Sequence, residues 1–389
     1  MKGRPARRPE TNPASWRTVR DVLCVRLDTI GDVLMCGPAM RALRERADVT
    51  LLTSGSGAEV AQLMPEVDET IVYAAPWMKG QGIQDEVQRL GEEARDLIER
   101  LRERSFDAAV IFTVYSQSAL PAALLCLLAG IPLRLAHSRE KPYALLTDWV
   151  PEPEPERLLR HEVSRQLDLV ATVGASTTAE ELRLRVPRGA RTRARQRLAA
   201  AGLDRERWVA VHLGGTAPAR RYPPELLADA CAVLAQEHHV PMVFTGDADD
   251  RRLVDDVCVQ AGADSLSFAG ELDLGELAAV LEAAAVLVCG NTGPVHLAAA
   301  VGTPVVDLYA LTNPQHTPWG VPSRVLFRDV PCRWCYSSVC PQGHHRCLRG
   351  VAPDDVARAA VELLREPVLD AHHDGNRQVA EWGSALSAV

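Results

Sequence analysis

Four turns in the chain hold side chains suited to acid–base chemistry or to anion binding, and each turn directly follows an apolar segment. The first of them contains Gly31 and Asp32. An aspartate at the start of a helix often caps that helix and complements its dipole. The same carboxylate could also act as a general base that removes a proton from a hydroxyl group. Both interpretations of Asp32 are open from the residues alone.

Two further turns have the side chains needed to bind a nucleotide diphosphate. In His212–Pro223, two glycines allow a ligand to approach the backbone, Thr216 supplies a hydroxyl and Arg220 supplies positive charge. A glycine-rich connector with solvated arginines would have the same composition. The acidic turn Asp247–Asp250 could hold a ribose through one carboxylate, or it could be an ordinary solvated helix start.

The fourth turn is Asn291–His296, with the sequence NTGPVH. Thr292 suits the N-cap position and Pro294 suits the first helical turn, whose backbone N–H groups lack partners within the helix. A helix N-terminus behind an apolar strand is a ready anion site. His296 lies in that first turn, either as a structural hydrogen-bonding group or as a ligand to phosphate.

The elements that must position these turns alternate between strands and helices, which predicts an α/β fold with mostly parallel sheets covered on both faces. Two doubly wound halves predict the GT-B arrangement, with the ligand-binding residues just after the strands. The proline-rich run 151–155 predicts a stiff surface segment between them. The predicted strands are Val19–Leu27, Val49–Thr53, Glu69–Tyr73, Ala108–Phe112, Trp208–Leu213, Val240–Gly246, Leu266–Ala269, Ala285–Cys289 and, as the last one, Pro304–Leu308.

The domain organisation follows from the same rhythm. We expect one Rossmann-like domain over residues 19–180 and a second over residues 205–350, facing a central cleft. A C-terminal helix at 351–368 is expected to pack back across the domains. Residues 1–18 and 370–389 are expected to be flexible tails.

Composition excludes several classes of protein. The 389 residues exceed a single α/β core, and the net charge of −8 lacks the basic field of a nucleic-acid binder. The amino end has no apolar core of the kind found in signal peptides. The longest apolar run, Ala119–Ile131, is too short to span a bilayer and predicts a buried helix. We therefore expect a cytoplasmic protein.

Four of the ten cysteines are clustered near the end of the chain. Cys332, Cys335, Cys340 and Cys347 have spacing that suits a structural zinc ion. Reduced packing cysteines or a local disulfide would also explain the cluster. A disulfide scaffold is not expected without a secretory signal.

Taken together, these segments resemble glycosyltransferase family 9, the heptosyltransferases of lipopolysaccharide core assembly. The resemblance extends from about Val22 to Leu364. The segments that resemble the family are Val25–Val33, Pro38–Leu43, His161–Val163, His212–Pro223, Asn291–Pro304 and Cys332–Leu348.

The resemblance implies inverting transfer of a sugar, often a heptose from an ADP-activated donor, without a metal or other cofactor. The implied acceptor is a glycan or glycolipid such as lipopolysaccharide core, reached by peripheral contact with the inner membrane face. The resemblance also implies that the domain over residues 19–180 binds the acceptor and that the domain over residues 205–350 binds the donor. The catalytic aspartate of the family falls on Asp32, next to Gly31. The expected donor-binding residues are Thr216, Arg220, Asp250, Asn291, Thr292, Gly293 and His296, with Leu272 as a candidate to pack against the base.

Three positions depart from the family pattern. Arg220 stands in place of a lysine and keeps its charge. Asn291 stands where heptosyltransferases usually have aspartate, which leaves Asp32 as the base. Asp250 is one methylene shorter than the usual glutamate.

Other functions use related architectures. A family member acting on a secondary metabolite or another cell-envelope glycan would look the same, and a nucleotide-sugar epimerase shares the two-lobed fold. An inactive binding protein is a further alternative, which Asp32 disfavours. An NAD-dependent oxidoreductase is disfavoured because Ser54–Val60 has Val60 where the last glycine of the dinucleotide-binding motif belongs.

Overall fold

The computed structural model describes residues 9–78, 87–203, 207–262 and 265–366. These residues divide after Glu180 into two compact units, and each unit is built on one six-stranded sheet. All strands within both sheets are parallel. The carboxyl ends of the strands in each unit therefore lie along one edge of its sheet.

The first unit has the strand order of a doubly wound fold, which reverses direction between β1 and β4. Five of the six residues of β1 are buried, as expected of a strand covered by helices on both faces. The sheet order is β3-β2-β1-β4-β5-β6, with β1 (Asp21–Arg26), β2 (Asp48–Thr53), β3 (Glu69–Val72), β4 (Ala108–Ile111), β5 (Leu133–Ser138) and β6 (Asp148–Pro151).

Six helices of this unit are α1 (Ile30–Met35), α2 (Gly37–Arg44), α3 (Gly55–Ala61), α4 (Val87–Arg104), α5 (Leu120–Leu128) and α6 (Glu162–Ala171). Ser54 caps α3 by accepting a hydrogen bond from the backbone N–H of Gly57. The segment Ser54–Val60, which nearly matches a dinucleotide-binding motif, is thus the capped start of a helix that packs on β2.

The second unit repeats the same winding. Its sheet order is β12-β11-β10-β7-β8-β9, with β7 (Val209–His212), β8 (Met242–Thr245), β9 (Ser265–Ser267), β10 (Val286–Gly290), β11 (Val305–Leu308) and β12 (Ser323–Leu326). Its helices are α7 (Arg188–Ala200), α8 (Pro224–Gln236), α9 (Arg251–Ala261), α10 (Leu274–Ala283), α11 (Gly293–Val301), α12 (Arg346–Arg349) and α13 (Pro353–Arg365). The predicted α/β class with two doubly wound sheets is confirmed.

The N-terminal end of the described chain differs from the expectation of a flexible tail over residues 1–18. Trp16 is buried, and the backbone N–H of Asn12 donates to Asp148 Oδ1 at 2.7 Å, so residues 9–18 pack on the first unit. The apolar face of α13 joins the core of the second unit, packing on α8 and on β10 to β12. Residues 1–8 and 370–389 lie outside the described residues.

Three strands were not expected from the sequence, and each breaks the apolar pattern. β5 buries Arg134 and His137 within the sheet, β6 begins with the buried Asp148, and β12 follows the strand predicted to be last. The proline-rich run is also not a simple surface segment, because Glu154 is buried and pairs with Arg160.

The apolar helix α5 is buried on one side only, although a buried helix was expected. Leu124, Leu127 and Leu128 lie exposed on its other side, spaced as neighbours on one helical face. No helix in the described part of the chain has the length and apolarity needed to cross a bilayer.

Gly57→Ala is expected to destabilise the first unit. A Cβ at Gly57 would lie 2.0 Å from Thr53 Oγ1 and 3.1 Å from Val33 Cγ2. Overpacking of this kind costs about 1–3 kcal/mol. Gly55→Ala is the matched control, because a Cβ there meets no atom within 4 Å. Thermal unfolding should show a lower midpoint for the first variant alone, and equal midpoints would contradict the packing described here.

Candidate functional site

Asp32 lies in the first turn of α1, directly after β1, and Gly31 is buried beside it. The backbone N–H and the hydroxyl of Thr29 donate to Asp32 Oδ2 at 3.2 and 2.8 Å. The helix-capping contact predicted from the sequence is therefore present. The Asp32 side chain is nevertheless 17% exposed, so the carboxylate can still be reached from solvent.

The other oxygen of Asp32 accepts a hydrogen bond from Arg26 Nη2 at 3.1 Å. Arg26 is fully buried at the end of β1, and its Nε and Nη1 atoms each lie 2.8 Å from a carboxylate oxygen, of Asp28 and Glu162 respectively. Burial opposes the charge of this guanidinium, yet the carboxylates hold the pKa of Arg26 well above its ordinary value. Arg26 and Glu162 were not among the predicted site residues, although both lie in segments that resemble the family. The charged Arg26 in the apolar strand β1 was a sign of its role.

The environment of Asp28 disfavours its ionised form. Burial raises its pKa to about 6, against the opposing effects of Arg26 and of a hydrogen bond from Gln117 Nε2 at 2.6 Å. The nearby charges of Asp32 and Glu162 raise the pKa of Asp28 further. Asp28 is therefore mostly ionised at neutral pH and takes up a proton in mildly acidic solution.

In the second unit, the loop after β7 brings three predicted positions together. Gly214 and Gly215 have φ of +124° and +134°, which only glycine adopts without strain. A Cβ on Gly214 would lie 2.4 Å from Asp250 Oδ2, and one on Gly215 would lie 2.8 Å from Thr292 Cγ2. The glycine loop thus contacts both the acidic turn after β8 and the N-cap of α11.

Among the three acids of that turn, Asp250 is distinguished by burial. Asp247 and Asp249 are exposed, whereas Asp250 is buried with its carboxylate against the glycine loop. Burial raises the pKa of Asp250, and Arg221, whose Nη2 lies 3.6 Å from Asp250 Oδ1, lowers it in part. Only this carboxylate of the three faces the loop that a phosphate-binding site would use.

The next predicted donor-binding residues in this unit are Arg220, Thr216 and Leu272. Arg220 Nε donates to Thr312 Oγ1 at 3.3 Å, and its charge acts on the fully buried Asp307, whose pKa burial raises well above its ordinary value. Thr216 is exposed in the glycine loop. Leu272 is half-buried, two residues after Gly270, where a Cβ would lie 2.7 Å from the Cα of Ala248 in the acidic turn.

Asn291 uses both ends of its amide on one residue. Its Oδ1 accepts from the backbone N–H of Ala310 at 3.1 Å, and its Nδ2 donates to the carbonyl of Ala310 at 3.4 Å. Asn291 therefore joins the ends of β10 and β11. The next residue, Thr292, is the N-cap of α11, and His296 is buried with its ring 6.5 Å from that of His316.

A cavity of about 250 Å³ lies at the carboxyl ends of β7 and β10. Its wall contains Arg220, Arg221, Gly214 and Gly290, together with His345 from the cysteine-rich segment. This volume is below the roughly 300–1,000 Å³ of pockets for drug-sized ligands. It suits a group the size of a phosphate or a sugar ring rather than a whole nucleotide sugar.

The cysteine-rich segment contacts the same loops. The backbone N–H of Tyr336 donates to the carbonyl of Thr312 at 2.9 Å, and the N–H of Ala219 donates to that of Ser338 at 2.9 Å. The thiol of Cys332 lies 3.7 Å from His344 Nε2. Burial opposes ionisation of Cys340, but backbone N–H groups of residues 342–345 bring the pKa of its thiol below the ordinary value.

All four clustered cysteines are free thiols, so they form no disulfide. Within residues 9–78, 87–203, 207–262 and 265–366, no three Cys, His, Asp or Glu side chains are grouped closely enough to hold a metal ion. A structural zinc ion at Cys332, Cys335, Cys340 and Cys347 stays a prediction.

The chain is similar to known glycosyltransferases over most of its length. It is 26% identical over 366 residues to lipopolysaccharide heptosyltransferase 2 of Escherichia coli K12, covering 90% of this chain and 96% of that protein. A family 9 glycosyltransferase structure from Veillonella parvula superposes with a TM-score of 0.72 at 21% identity, over 91% of this chain and 99% of that one. E. coli heptosyltransferase WaaC with ADP superposes with a TM-score of 0.58 at 17% identity, over 88% and 97% of the two chains.

These two structures share the fold of this chain, and with the two parallel sheets they confirm the predicted GT-B class. The sequence model of glycosyltransferase family 9 (heptosyltransferase) matches residues 94–345, well over half of the chain. Because of this match, the predicted resemblance is confirmed: the chain belongs to glycosyltransferase family 9, the heptosyltransferases, and is a glycosyltransferase.

Proposed function

We propose that this enzyme transfers a heptose, with inversion, from ADP-heptose to a hydroxyl group of a lipopolysaccharide core acceptor. The observation that best supports this is the joining of Gly214, Asp250 and Thr292 at one edge of the second sheet. It unites a phosphate-binding loop, a carboxylate for ribose and a helix N-terminus, as a nucleotide-diphosphate donor requires. A solved heptosyltransferase of the same fold contains ADP, which favours adenine.

The charge that develops on the leaving diphosphate needs electrostatic stabilisation. We assign this role to Arg220, the Thr216 hydroxyl and the backbone N–H groups at Thr292 and Gly293, with His296 near the same turn. Leu272 packs against the base in this proposal. Asn291 acts indirectly, since its amide is hydrogen-bonded to the backbone of Ala310.

Asp32 is the proposed general base. It removes the proton of the acceptor hydroxyl as that oxygen attacks the anomeric carbon, and the bond from this carbon to the diphosphate oxygen breaks. The contact with Arg26 Nη2 at 3.1 Å favours the ionised carboxylate that a base requires. No metal or other cofactor takes part in this proposed chemistry.

The same donor site would also serve transfer to another envelope glycan or to a secondary metabolite. A glycolipid is favoured by the exposed face of α5, where Leu124, Leu127 and Leu128 lie together. The turn Tyr143–Leu145 packs against α5, and Tyr143 is 79% exposed with Lys141 over its ring. Exposed apolar side chains beside a cation suit a lipid surface. Contact with the cytoplasmic face of the inner membrane stays a prediction.

We expect ADP and ADP-heptose to raise the thermal unfolding midpoint more than GDP, UDP, dTDP and their sugars do, because a ligand that binds only the folded state stabilises it.

Asp250→Asn should weaken ADP binding about ten-fold or more, since hydrogen bonds to a charged group contribute roughly 1.5–3 kcal/mol. Asp249→Asn is the matched control, because Asp249 is exposed one position away. Titration calorimetry measures both affinities. A midpoint that no nucleotide moves would contradict the donor site.

Asp32→Asn is expected to lower kcat by about 10²–10⁴-fold, because the amide cannot accept the proton. ADP release from ADP-heptose with truncated lipopolysaccharide cores measures this, and NMR of the product reports the anomeric configuration. Asp21→Asn is the control, since Asp21 is exposed at the opposite end of β1. Near-normal turnover by Asp32→Asn would remove Asp32 from the mechanism. Turnover of ADP-heptose without any acceptor would instead favour an epimerase.

A further inference from the structure

Each nitrogen atom of the Arg26 guanidinium lies within ion-pair distance of a carboxylate, and Nη1 and Nη2 also donate hydrogen bonds, to Glu162 and Asp32. Nε lies 2.8 Å from Asp28 Oδ2, Nη1 lies 2.8 Å from Glu162 Oε1 and Nη2 lies 3.1 Å from Asp32 Oδ1. Because the guanidinium is planar with its donors in a rigid fork, these contacts together fix its plane. The position of Asp32 Oδ1 relative to β1 then depends on how firmly that plane is held.

Glu162 is the most deeply buried of the three carboxylates. It is fully buried at the first position of α6, where a negative charge is favoured by the helix dipole. Gln166 Nε2, one turn further along α6, donates to Glu162 Oε1 at 2.7 Å and to the carbonyl of Thr113 at 3.0 Å. Glu162 therefore connects Arg26 to α6 and to the loop after β4.

The ion pairs around Arg26 are expected to contribute little to the stability of the folded state. Three carboxylates share one guanidinium, and both Arg26 and Glu162 are fully buried. Desolvating such charges costs several kcal/mol per ion, and apolar replacements of buried ion pairs are often no less stable. Orientation of the partly exposed Asp32 explains the arrangement better than stability does.

We propose that Glu162 is a positioning residue for Asp32 and acts through Arg26. This rests on the proposed function, in which Asp32 is the base. When Glu162 is neutralised, Nη1 loses its charged partner while Nε keeps the ion pair with Asp28, so the guanidinium can tilt away from Asp32. The hydrogen bonds from Thr29 to Oδ2 would remain, while the contact that holds Oδ1 would weaken.

Glu162→Gln is the first test, in the same assay with ADP-heptose and truncated lipopolysaccharide cores. We expect kcat to fall about ten-fold, with the KM for ADP-heptose unchanged because the donor residues lie in the other unit. The acid limb of the kcat–pH profile, which reports the base in the enzyme–substrate complex, should move to lower pH. Glu162 carries the same charge as ionised Asp32, and loss of this like charge acts through space whatever the orientation of Arg26, so it favours the ionised form of Asp32.

The groups that face the Arg26 cluster determine which titrations could contribute to the pH profile. They are Asp28, Asp32 and Glu162 themselves, Cys36, whose thiol donates to the carbonyl of Asp32 at 3.3 Å, and Arg165, whose Nη1 lies 3.9 Å from Glu162 Oε1. Burial raises the pKa of Cys36 far above the range in question. The acid limb therefore reports the carboxylates.

Glu162→Asp separates geometry from charge and carries the test if the glutamine variant does not fold. It keeps the charge but is one methylene shorter, so kcat should fall while the acid limb stays at the wild-type pH. Glu156→Gln is the matched control, because Glu156 is 66% exposed and pairs with Arg139. Unfolding midpoints of all variants report the folded fraction.

The outcomes distinguish this proposal from the proposed function. Wild-type kcat in both Glu162 variants, with Asp32→Asn inactive, would overturn the positioning role and leave the base assignment intact. A loss of kcat in step with the folded fraction, with an unmoved acid limb in Glu162→Gln, would make Glu162 merely structural and would also overturn it. Full activity of Asp32→Asn would instead refute the assignment of Asp32 as the base, and a wild-type enzyme that does not turn over ADP-heptose would refute the proposed function.

Discussion

Both sheets run entirely parallel within the described residues, and the rest of the molecule follows from that constraint. A parallel strand must be followed by a crossover, so each chain segment leaves the sheet at the same edge. In both units the strand order reverses beside the first strand of the unit, which opens a crevice at the carboxyl ends. Asp28 and Asp32 lie at this edge in the first unit, and Gly214, Asp250 and Thr292 lie there in the second.

The two units hold the residues at this edge of the sheet by different kinds of interaction. The first holds its carboxylates with a buried guanidinium, and a second buried ionic group around Arg165 and Glu154 lies next to it. The second unit holds its loops with close glycine contacts and with the neutral amide of Asn291. Ionic groups orient carboxylates strongly but are costly to bury. Backbone and amide contacts leave the positive charge of Arg220 and of a helix N-terminus available for an anion.

Much of the fold could be predicted from the sequence because most strands are short, apolar and β-branched, and each predicted strand differs from the observed one by only a few residues at either end. β5 and β6 could not be, since Arg134, His137 and Asp148 are buried there by polar partners that lie outside these two strands. The site shows the same division. Turns after strands pointed to Asp32, Asp250 and Asn291, whereas the link from Arg26 to Glu162 spans 136 positions. No local pattern reports such a pairing.

The amide of Asn291 has a consequence for acid tolerance. Its two hydrogen bonds to Ala310 involve no ionisable group, so the junction between β10 and β11 keeps the same bonds as acidity rises. An aspartate at this position would lack the donor for one of these bonds whenever it was ionised. In the first unit, by contrast, Asp28 takes up a proton near pH 6. Mild acidification therefore changes the charge around Arg26 and leaves the Asn291 junction unaltered, so these two parts of one enzyme respond unequally to the same change in pH.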